Sequence, residues 1–272
     1  MISQEKQTVD SQHNGLVPML AGERHLEILK RIQDRGGIRV ASLAKELAVT
    51  EETIRRDLER LDTEGKLRRI RGGALPLESD RRELPMSVRE AVNLDKKRAI
   101  AAAAVRHILE GDVVALDASS TARELARLIP DRPVTVISNS LSIASVLMNR
   151  SEVRLICTGG FLDAPSMSFV GSLAEESLDR FHIKKLFFSC AGIDPVRGLS
   201  VTADEHAGIK KRMIDAADEV VLLADSTKFN TSAVEFFARL TDVDTVITDG
   251  QINPALVDEM RQQGVSVELA SA

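Results

Sequence analysis

The feature that most restricts the fold of this chain is a series of three short helical patterns between residues 23 and 64, with only a brief break between the second and the third. Thr50 stands where the third helix would begin, and threonine is a good N-cap. A tight turn between two short helices predicts a helix-turn-helix, which we place at about residues 40–60. The apolar residues that should pack the three helices together recur at helical spacing: Leu26, Ile28, Leu29 and Ile32, then Val40, Leu43, Ala44 and Leu47, then Ile54, Leu58 and Leu61.

The segment that follows, residues 66–73, mixes apolar with basic residues in the order Lys-Leu-Arg-Arg-Ile-Arg-Gly-Gly. Such alternation is typical of a β-hairpin with one face toward solvent. A basic hairpin after a helix-turn-helix is a wing, so we predict a winged helix-turn-helix domain at residues 21–78, after a loose polar arm at residues 1–20. The outward cations of the wing would be Lys66, Arg68, Arg69 and Arg71.

Double-stranded DNA is the partner that this domain favours. Charge supports it, because residues 23–73 hold thirteen Lys/Arg against ten Asp/Glu while the whole chain carries −5. The absence of Trp and Tyr disfavours a single-strand binder, which stacks bases on aromatic rings. By itself the Arg55–Arg56 pair also fits a solvated helix face, but the basic wing beside it favours a major-groove helix. The exposed positions early in that helix are Glu52, Thr53, Arg55 and Arg56.

The rest of the chain predicts a larger domain at residues 87–272, joined by a linker at residues 79–86 that contains proline and charged residues. A helix is expected from Ser87 to Leu109, and beyond it short apolar strands alternate with helices. This alternation is typical of an α/β fold with a mainly parallel sheet. Ligands bind such sheets at the carboxyl ends of the strands.

Polar clusters follow four of the predicted strands at that edge. Hydroxyls beside the free N–H groups of a helix start make a cradle for an anion. Each cluster alone is more often a helix cap, but four at one edge of a sheet favour a pocket, and their side chains suit a polyol that carries a phosphate. The clusters are Asp117 to Thr121, Ser138 to Ser140, Gly192 with Asp194, and Asp225 with Ser226 and Lys228.

The run LAKELAVTEETIRRDLERLDTEGKLRRIRGGA closely resembles the N-terminal signature of the DeoR family of bacterial transcriptional regulators. The pieces DASSTARELA, VISNS, SFVGSLAEESL, FFSCAGIDPVRGLS and IKKRMIDAADEVVLLADSTKF resemble the effector domain of that family, whose fold is similar to ribose-5-phosphate isomerase. The resemblance implies a recognition helix in which Asp57 orients the neighbouring arginines. The other residues of that helix are Thr50, Glu51, Thr53, Arg55 and Arg56.

The resemblance also implies a repressor of a carbohydrate catabolic operon, with an activator as the alternative within the family. The partners would be a double-stranded operator and a phosphorylated sugar, bound by a homodimer or homotetramer. The family often has glycine where this chain has Ser119. A serine there would remove conformational freedom at a tight turn. The implied pocket residues are Asp117, Ser119, Ser120, Thr121, Asn139, Gly192, Asp194, Lys210 and Lys228.

An enzyme with an isomerase-like fold is the rival function. Sugar-phosphate isomerisation needs a general base, usually a carboxylate, yet Lys210, Lys211 and Arg212 stand where one would be expected. Neither a Gly-Lys-Ser/Thr phosphate loop nor a Gly-x-Ser-x-Gly elbow occurs. The five histidines and two cysteines lack metal-ligand spacing. We therefore expect no catalytic residue, cofactor or metal. Because the sequence shows neither a secretory pattern nor a long apolar run, we also expect a cytoplasmic protein with no membrane partner.

Overall fold

A computed structural model describes residues 20–35, 37–76 and 85–271. The expected arm at residues 1–20 lies outside these ranges apart from Leu20, and so does the expected linker at residues 79–86 apart from its last two residues. None of the helices in the described ranges combines the length and the apolar character that crossing a membrane requires.

The N-terminal part folds as a winged helix-turn-helix, as the sequence predicts. Its elements are α1 (Ala21–Arg35), β1 (Ile38–Arg39), α2 (Val40–Glu46), α3 (Glu51–Thr63), β2 (Arg68–Ile70) and β3 (Gly73–Leu75). The strands form one antiparallel sheet in the order β1-β3-β2, and β2 with β3 is the wing. The predicted N-cap of α3 is confirmed, because the Thr50 hydroxyl accepts a hydrogen bond from the Thr53 N–H at 3.1 Å.

The buried face of α1 differs from the predicted one. Ile28 and Ile32 are buried in the core of this part, whereas Leu26 is 71% exposed and Leu29 only half-buried. An α-helix has about 3.6 residues per turn, so positions three apart drift around the axis and Leu26 faces away from Ile32. The predicted core residues of α2 and α3 are buried as expected.

The larger domain opens with α4 (Met86–Arg89) and α5 (Leu94–Ala104), not with one helix from Ser87 to Leu109. The two helices are separated by a turn in which Asn93 is left-handed, with φ at 53°, and asparagine tolerates that conformation better than most residues. A short 3-10 helix at residues 105–107 ends the segment. Because the segment turns here, Arg89, Asn93 and Lys97 lie near the carboxyl ends of the strands described below.

Strands and helices then alternate through the rest of the domain. They are β4 (Val113–Leu116), α6 (Ser120–Leu128), β5 (Val134–Ser138), α7 (Leu141–Leu147), β6 (Val153–Cys157), β7 (Phe161–Asp163), β8 (Ser168–Val170), α8 (Ser172–Leu178), β9 (Ile183–Phe188), β10 (Gly192–Asp194), β11 (Gly198–Val201), α9 (Asp204–Asp215), β12 (Ala217–Leu223), β13 (Glu235–Ala238), β14 (Thr245–Asp249), α10 (Pro254–Gln262) and β15 (Ser266–Ala270).

The main sheet has seven strands in the order β15-β14-β12-β9-β4-β5-β6, and every neighbouring pair is parallel. Both faces are covered by apolar side chains, as a parallel sheet requires. Phe187 and Phe188 show this, because they are successive residues of β9, are fully buried and belong to the clusters on opposite faces. The predicted α/β class is therefore confirmed.

The order of strands fixes where a ligand can bind. The chain runs from β4 through β5 to β6 on one side, and β9, β12, β14 and β15 follow on the other. The direction of strand addition reverses between β4 and β9. A crevice forms outside the carboxyl ends of the strands at such a switch point, and ligands bind there in open α/β sheets.

Candidate functional site

The outer face of α3 carries the residues that the sequence selects for DNA. Arg55 Nη2 lies 2.5 Å from Glu51 Oε2, and Arg56 Nε lies 3.3 Å from Glu52 Oε1. Exposed ion pairs of this kind contribute little free energy, so a phosphate or base can take over either arginine at small cost. Thr53 is half-buried, and the other predicted DNA contacts of this helix are exposed: Thr50, Glu51, Glu52, Arg55 and Arg56.

Asp57 does not orient the neighbouring arginines, which corrects the expectation. Its carboxylate is buried and receives the Arg24 guanidinium of α1 at 2.5 Å and His25 Nε2 at 2.9 Å. Burial would raise the pKa of Asp57, but the hydrogen bonds from Arg24 and His25 outweigh it and lower the pKa. Asp57 therefore fastens α3 to α1 and sets the angle at which the outer face of α3 is presented.

The wing, together with Lys66 just before it, adds four exposed cations. Lys66 Nζ lies 2.8 Å from Glu64 Oε2, and Arg69 Nη1 lies 3.8 Å from Glu59 Oε1. We call the exposed residues of α3 and the wing the basic face. Its wing members are Lys66, Arg68, Arg69 and Arg71.

A cavity of about 420 Å³ lies at the carboxyl ends of β4, β5, β9 and β12, at the switch point of the sheet. We call it the strand-end cavity. Seven of the nine residues predicted for an effector pocket line it: Asp117, Ser119, Ser120, Thr121, Asn139, Lys210 and Lys228.

Gly192 and Asp194 do not belong to this lining. They lie on β10, where Asp194 accepts hydrogen bonds from the N–H groups of Val196 and Arg197 and so closes the turn to β11. Gly192 packs so closely on the Thr231 carbonyl that a Cβ would lie 2.6 Å from its oxygen. The residues directly after β9 line the cavity instead: Ser189, Cys190 and Ala191.

Asp117 and Lys210 form a buried ion pair on the cavity wall. Asp117 also accepts the Ser119 N–H at 3.2 Å and the Ser189 N–H at 3.1 Å, and Lys210 Nζ donates to the Ser189 carbonyl at 2.9 Å. The pair therefore ties the end of β4 to the end of β9. Its two charges balance each other, so neither is left over for a ligand.

The charges that remain favour an anion. Two carboxylates, Asp117 and Asp225, face the cavity among the described residues. The described cations that line it number five: Arg68, Arg89, Lys97, Lys210 and Lys228. Arg68 and Arg89 also interact with other groups, but the three lysines, Lys97, Lys210 and Lys228, by themselves outnumber the two carboxylates among the described lining residues. This surplus of positive charge lies in a partly desolvated space, where an anion is attracted more strongly than in water.

Lys97 also lines the cavity, although the sequence pattern does not single it out. It lies on α5, is buried, and its ammonium donates to the carbonyls of Arg89 (2.5 Å) and Val92 (2.7 Å). Burial, together with the nearby charge of Lys228, lowers the pKa of Lys97 to about 8. The sequence shows Lys96 and Lys97 at the start of an alanine-rich helix. Which of the two side chains points into the cavity depends on the turn at Asn93, and the sequence does not reveal that turn.

Ser119 fits its position, although the family often has glycine there. Its φ of −85° lies in the extended region that every residue adopts, and its hydroxyl accepts the Ala122 N–H at 3.1 Å. Ser119 thus caps α6, whose N-terminus faces the cavity and attracts negative charge. The serine keeps the anion cradle intact.

Asn139 offers the cavity an unused acceptor. Its Nδ2 donates to the Phe169 carbonyl at 3.0 Å, while its buried Oδ1 has no hydrogen-bond partner among the described residues. A buried polar atom without a partner costs free energy, and a ligand hydroxyl would remove that cost. Within the same described residues, no group of His, Cys, Asp and Glu is arranged to hold a metal ion.

Two family models match this chain. Residues 24–80 match the DeoR-like helix-turn-helix domain, and residues 92–250 match the DeoR C-terminal sensor domain. The chain is 42% identical to the uncharacterized HTH-type transcriptional regulator YulB of Bacillus subtilis, over 92% of this chain and 96% of that protein. It is 34% identical to the putative aga operon transcriptional repressor of Escherichia coli O157:H7, over 91% and 93%.

A solved structure of ribose-5-phosphate isomerase A from Methanocaldococcus jannaschii is similar over 50% of this chain and 55% of that chain, with 22% identity and a TM-score of 0.38. A likeness this distant says nothing about activity. The matched family models and the two relatives describe transcriptional regulators and not enzymes. The chain belongs to the DeoR family of DNA-binding transcriptional regulators.

Proposed function

We propose that this chain is a sequence-specific repressor of a carbohydrate catabolic operon, and that a phosphorylated sugar bound in the strand-end cavity modulates its affinity for the operator. The observation that carries the proposal is the surplus of positive charge in a cavity at the switch point of the sheet. A volume of about 420 Å³ suits a small metabolite. The relative named for the aga operon supports the link to sugar metabolism.

The phosphate end of the ligand would bind where cations and helix dipole act together. The N-terminus of α6, with Ser119, Ser120 and Thr121, supplies N–H and hydroxyl donors. Lys97 and Lys228 supply charge from the other elements of the wall.

The sugar end would bind by its hydroxyls. Asn139 Oδ1 is an acceptor without a partner among the described residues, so a sugar hydroxyl can donate to it. Among all the residues of the chain there is no Trp or Tyr on which a neutral sugar could stack, so recognition rests on the phosphate and on hydrogen bonds.

The basic face would contact the operator. Arg55 and Arg56 on α3 would contact base edges in the major groove. The wing cations would contact phosphates of the DNA. The residues at the start of the helix would lie near the DNA backbone: Thr50, Glu51, Glu52 and Thr53. One winged helix covers few base pairs, so we propose that the protein is a homodimer or homotetramer that binds repeated half-sites. We place this regulator in the cytoplasm.

Measuring the molar mass of the full-length protein in solution tests the oligomeric state. A monomer with full operator affinity would reject the proposed oligomer.

A gel shift tests the proposal as a whole. Labelled DNA from upstream of the gene and its neighbours is titrated with the full-length protein, alone and with a panel of hexose, pentose and triose phosphates and their unphosphorylated parents. We expect one phosphorylated sugar to release the DNA while its parent has no effect. Binding of DNA without a response to any phosphate would reject the sensing role.

Two matched variants sharpen this test. Lys228→Gln removes a cavity cation, whereas Lys211→Gln removes an exposed lysine of α9 that does not line the cavity. We expect the first to lose the response to the sugar phosphate and the second to keep it, with DNA binding retained in both. A reporter gene fused to the upstream DNA then shows whether the protein represses or activates transcription, because deletion of a repressor raises expression and deletion of an activator lowers it.

A further inference from the structure

The wing strand β2 forms part of the wall of the strand-end cavity. Arg68 and Ile70 of β2 and Leu75 of β3 line it together with the strand-end residues of the α/β domain. The cavity is thus built by both parts of the chain. Whatever binds in it would touch the DNA-binding part directly, and not only the sensor domain.

The strand β2 presents one cation to each of two surfaces. Neighbouring side chains of a strand point to opposite faces, so Arg68 and Ile70 share the face that lines the cavity. Arg69, between them, lies beside α3: its guanidinium is 3.8 Å from the Glu59 carboxylate, and its backbone N–H donates to the Asp62 carboxylate at 3.0 Å. The two arginines carry equal charge on the same strand and differ in what they face.

The wing side of the N-terminal part is fastened to the segment that supplies the cavity. The Arg39 guanidinium donates to the Ser87 carbonyl and lies 3.5 Å from Glu90, and Arg71 lies 3.9 Å from Asp95. The same stretch of chain carries Arg89, Asn93 and Lys97 to the cavity. A ligand that draws these side chains inward therefore acts on a segment in direct contact with the wing.

We propose that Arg68 binds the anion in the strand-end cavity, so that effector and operator compete for this one side chain of the wing. The inference rests on the proposed function and adds its mechanism. A guanidinium that the effector holds inside the cavity cannot also reach a DNA phosphate outside it, so effector binding weakens the DNA complex. Because the coupling of two binding equilibria is reciprocal, DNA weakens effector binding by the same factor.

Inorganic phosphate is the probe, because it is the part that every candidate sugar phosphate shares. Its affinity for the full-length protein is measured by titration calorimetry against chloride at equal ionic strength, for the wild type, Arg68→Ala and Arg69→Ala. We expect Arg68→Ala to bind phosphate roughly tenfold more weakly, the loss of a charge-assisted hydrogen bond, and Arg69→Ala to bind as the wild type does. Both side chains are exposed, so both variants should fold.

The same three proteins are then titrated with the labelled upstream DNA, with and without phosphate. Each variant loses one wing cation, so both should bind DNA more weakly, but the additional loss caused by phosphate should persist only in Arg69→Ala and the wild type. Equal phosphate binding by the two variants would overturn the role of Arg68 and leave the proposed function standing. Failure of the wild type to bind phosphate would instead reject the anion site, and the proposed function with it.

Discussion

The basic face and the strand-end cavity both collect positive charge, but they hold it in different ways. On α3 the arginines are exposed, and glutamates one turn away on the same helix pair with them. In the cavity Lys97 and Lys210 are buried, and their partners come from other elements or from backbone carbonyls. One surface is made by local sequence, and the other is assembled by the fold.

This difference teaches how the two sites divide the work of binding. Exposed ion pairs are screened by salt and cost little to break, so the basic face can exchange glutamates for phosphates along a long polymer. Buried charges are screened much less and are costly to leave unpaired. A cavity of this kind suits the single small anion proposed for it, and damage to it should affect stability as well as binding.

The largest expected effect is on folding. Lys210→Met leaves Asp117 buried without its partner, and we expect the free energy of unfolding to fall by about 3–5 kcal/mol. Arg56→Met removes an exposed cation and should change it by less than about 0.5 kcal/mol. Urea denaturation of the two variants at neutral pH measures the contrast. Similar losses in both would show that burial does not separate the two regions.

The next effect is on DNA recognition. Arg56→Ala should weaken specific DNA binding by about 1–3 kcal/mol, the discrimination that one arginine–base contact supplies. Phosphate affinity should not change, because Arg56 does not line the cavity. The control is Arg98→Ala, which removes an exposed cation from α5, far along the chain from α3. A loss of DNA binding in the control as large as in Arg56→Ala would mean that net charge alone is measured.

The cavity should respond to pH where the basic face does not. A protonated Lys97 attracts the anion, and its pKa of about 8 means that this charge is lost as the pH rises through 8. The probe is sulfate, a dianion whose own charge is constant over this range, and we expect its affinity to fall by up to about tenfold between pH 7 and pH 9, which corresponds to one linked proton. The arginines of α3 keep their charge over this range, so DNA binding should be nearly constant.

Lys97→Met is the matched control for that titration. It should bind sulfate weakly at all pH values and show a flat profile in calorimetry. A profile that still falls between pH 7 and pH 9 in this variant would assign the titration to another group.

The smallest expected effect is on the salt dependence of DNA binding. Lys66→Ala removes one exposed wing cation, so the slope of log affinity for DNA against log salt should decrease in magnitude by about 0.9. A gel-shift series at several salt concentrations gives this slope. An unchanged slope would mean that Lys66 does not contact a phosphate of the DNA.

The basic face could be predicted almost entirely from the sequence because its elements are local. The Thr50 cap, the buried faces of α2 and α3 and the basic hairpin follow from residues a few positions apart. The exceptions were Leu26, where a three-residue spacing was taken for a shared face, and Asp57, whose partners lie on another helix.

The cavity could be predicted only in part. The helix starts after β4 and β5 were visible as capping residues. After β9, however, the strand ends at Phe188 and the apolar Cys190 and Ala191 follow Ser189, so the sequence pointed to the later Gly192 and Asp194 instead of Ser189 to Ala191. Lys97 and Arg68 could not be found, because their place in the wall depends on the turn at Asn93 and on how the wing packs against the sensor domain.

The position of the strand-end cavity follows from the order of strands and not from the side chains that line it. The crevice remains wherever strand addition reverses between β4 and β9, whatever residues follow those strands. Lining residues other than the buried pair of Asp117 and Lys210 can therefore change by single substitutions while the sheet and its two apolar faces stay intact. Such a scaffold allows regulators to diverge toward new metabolites step by step, each intermediate remaining folded and able to bind DNA.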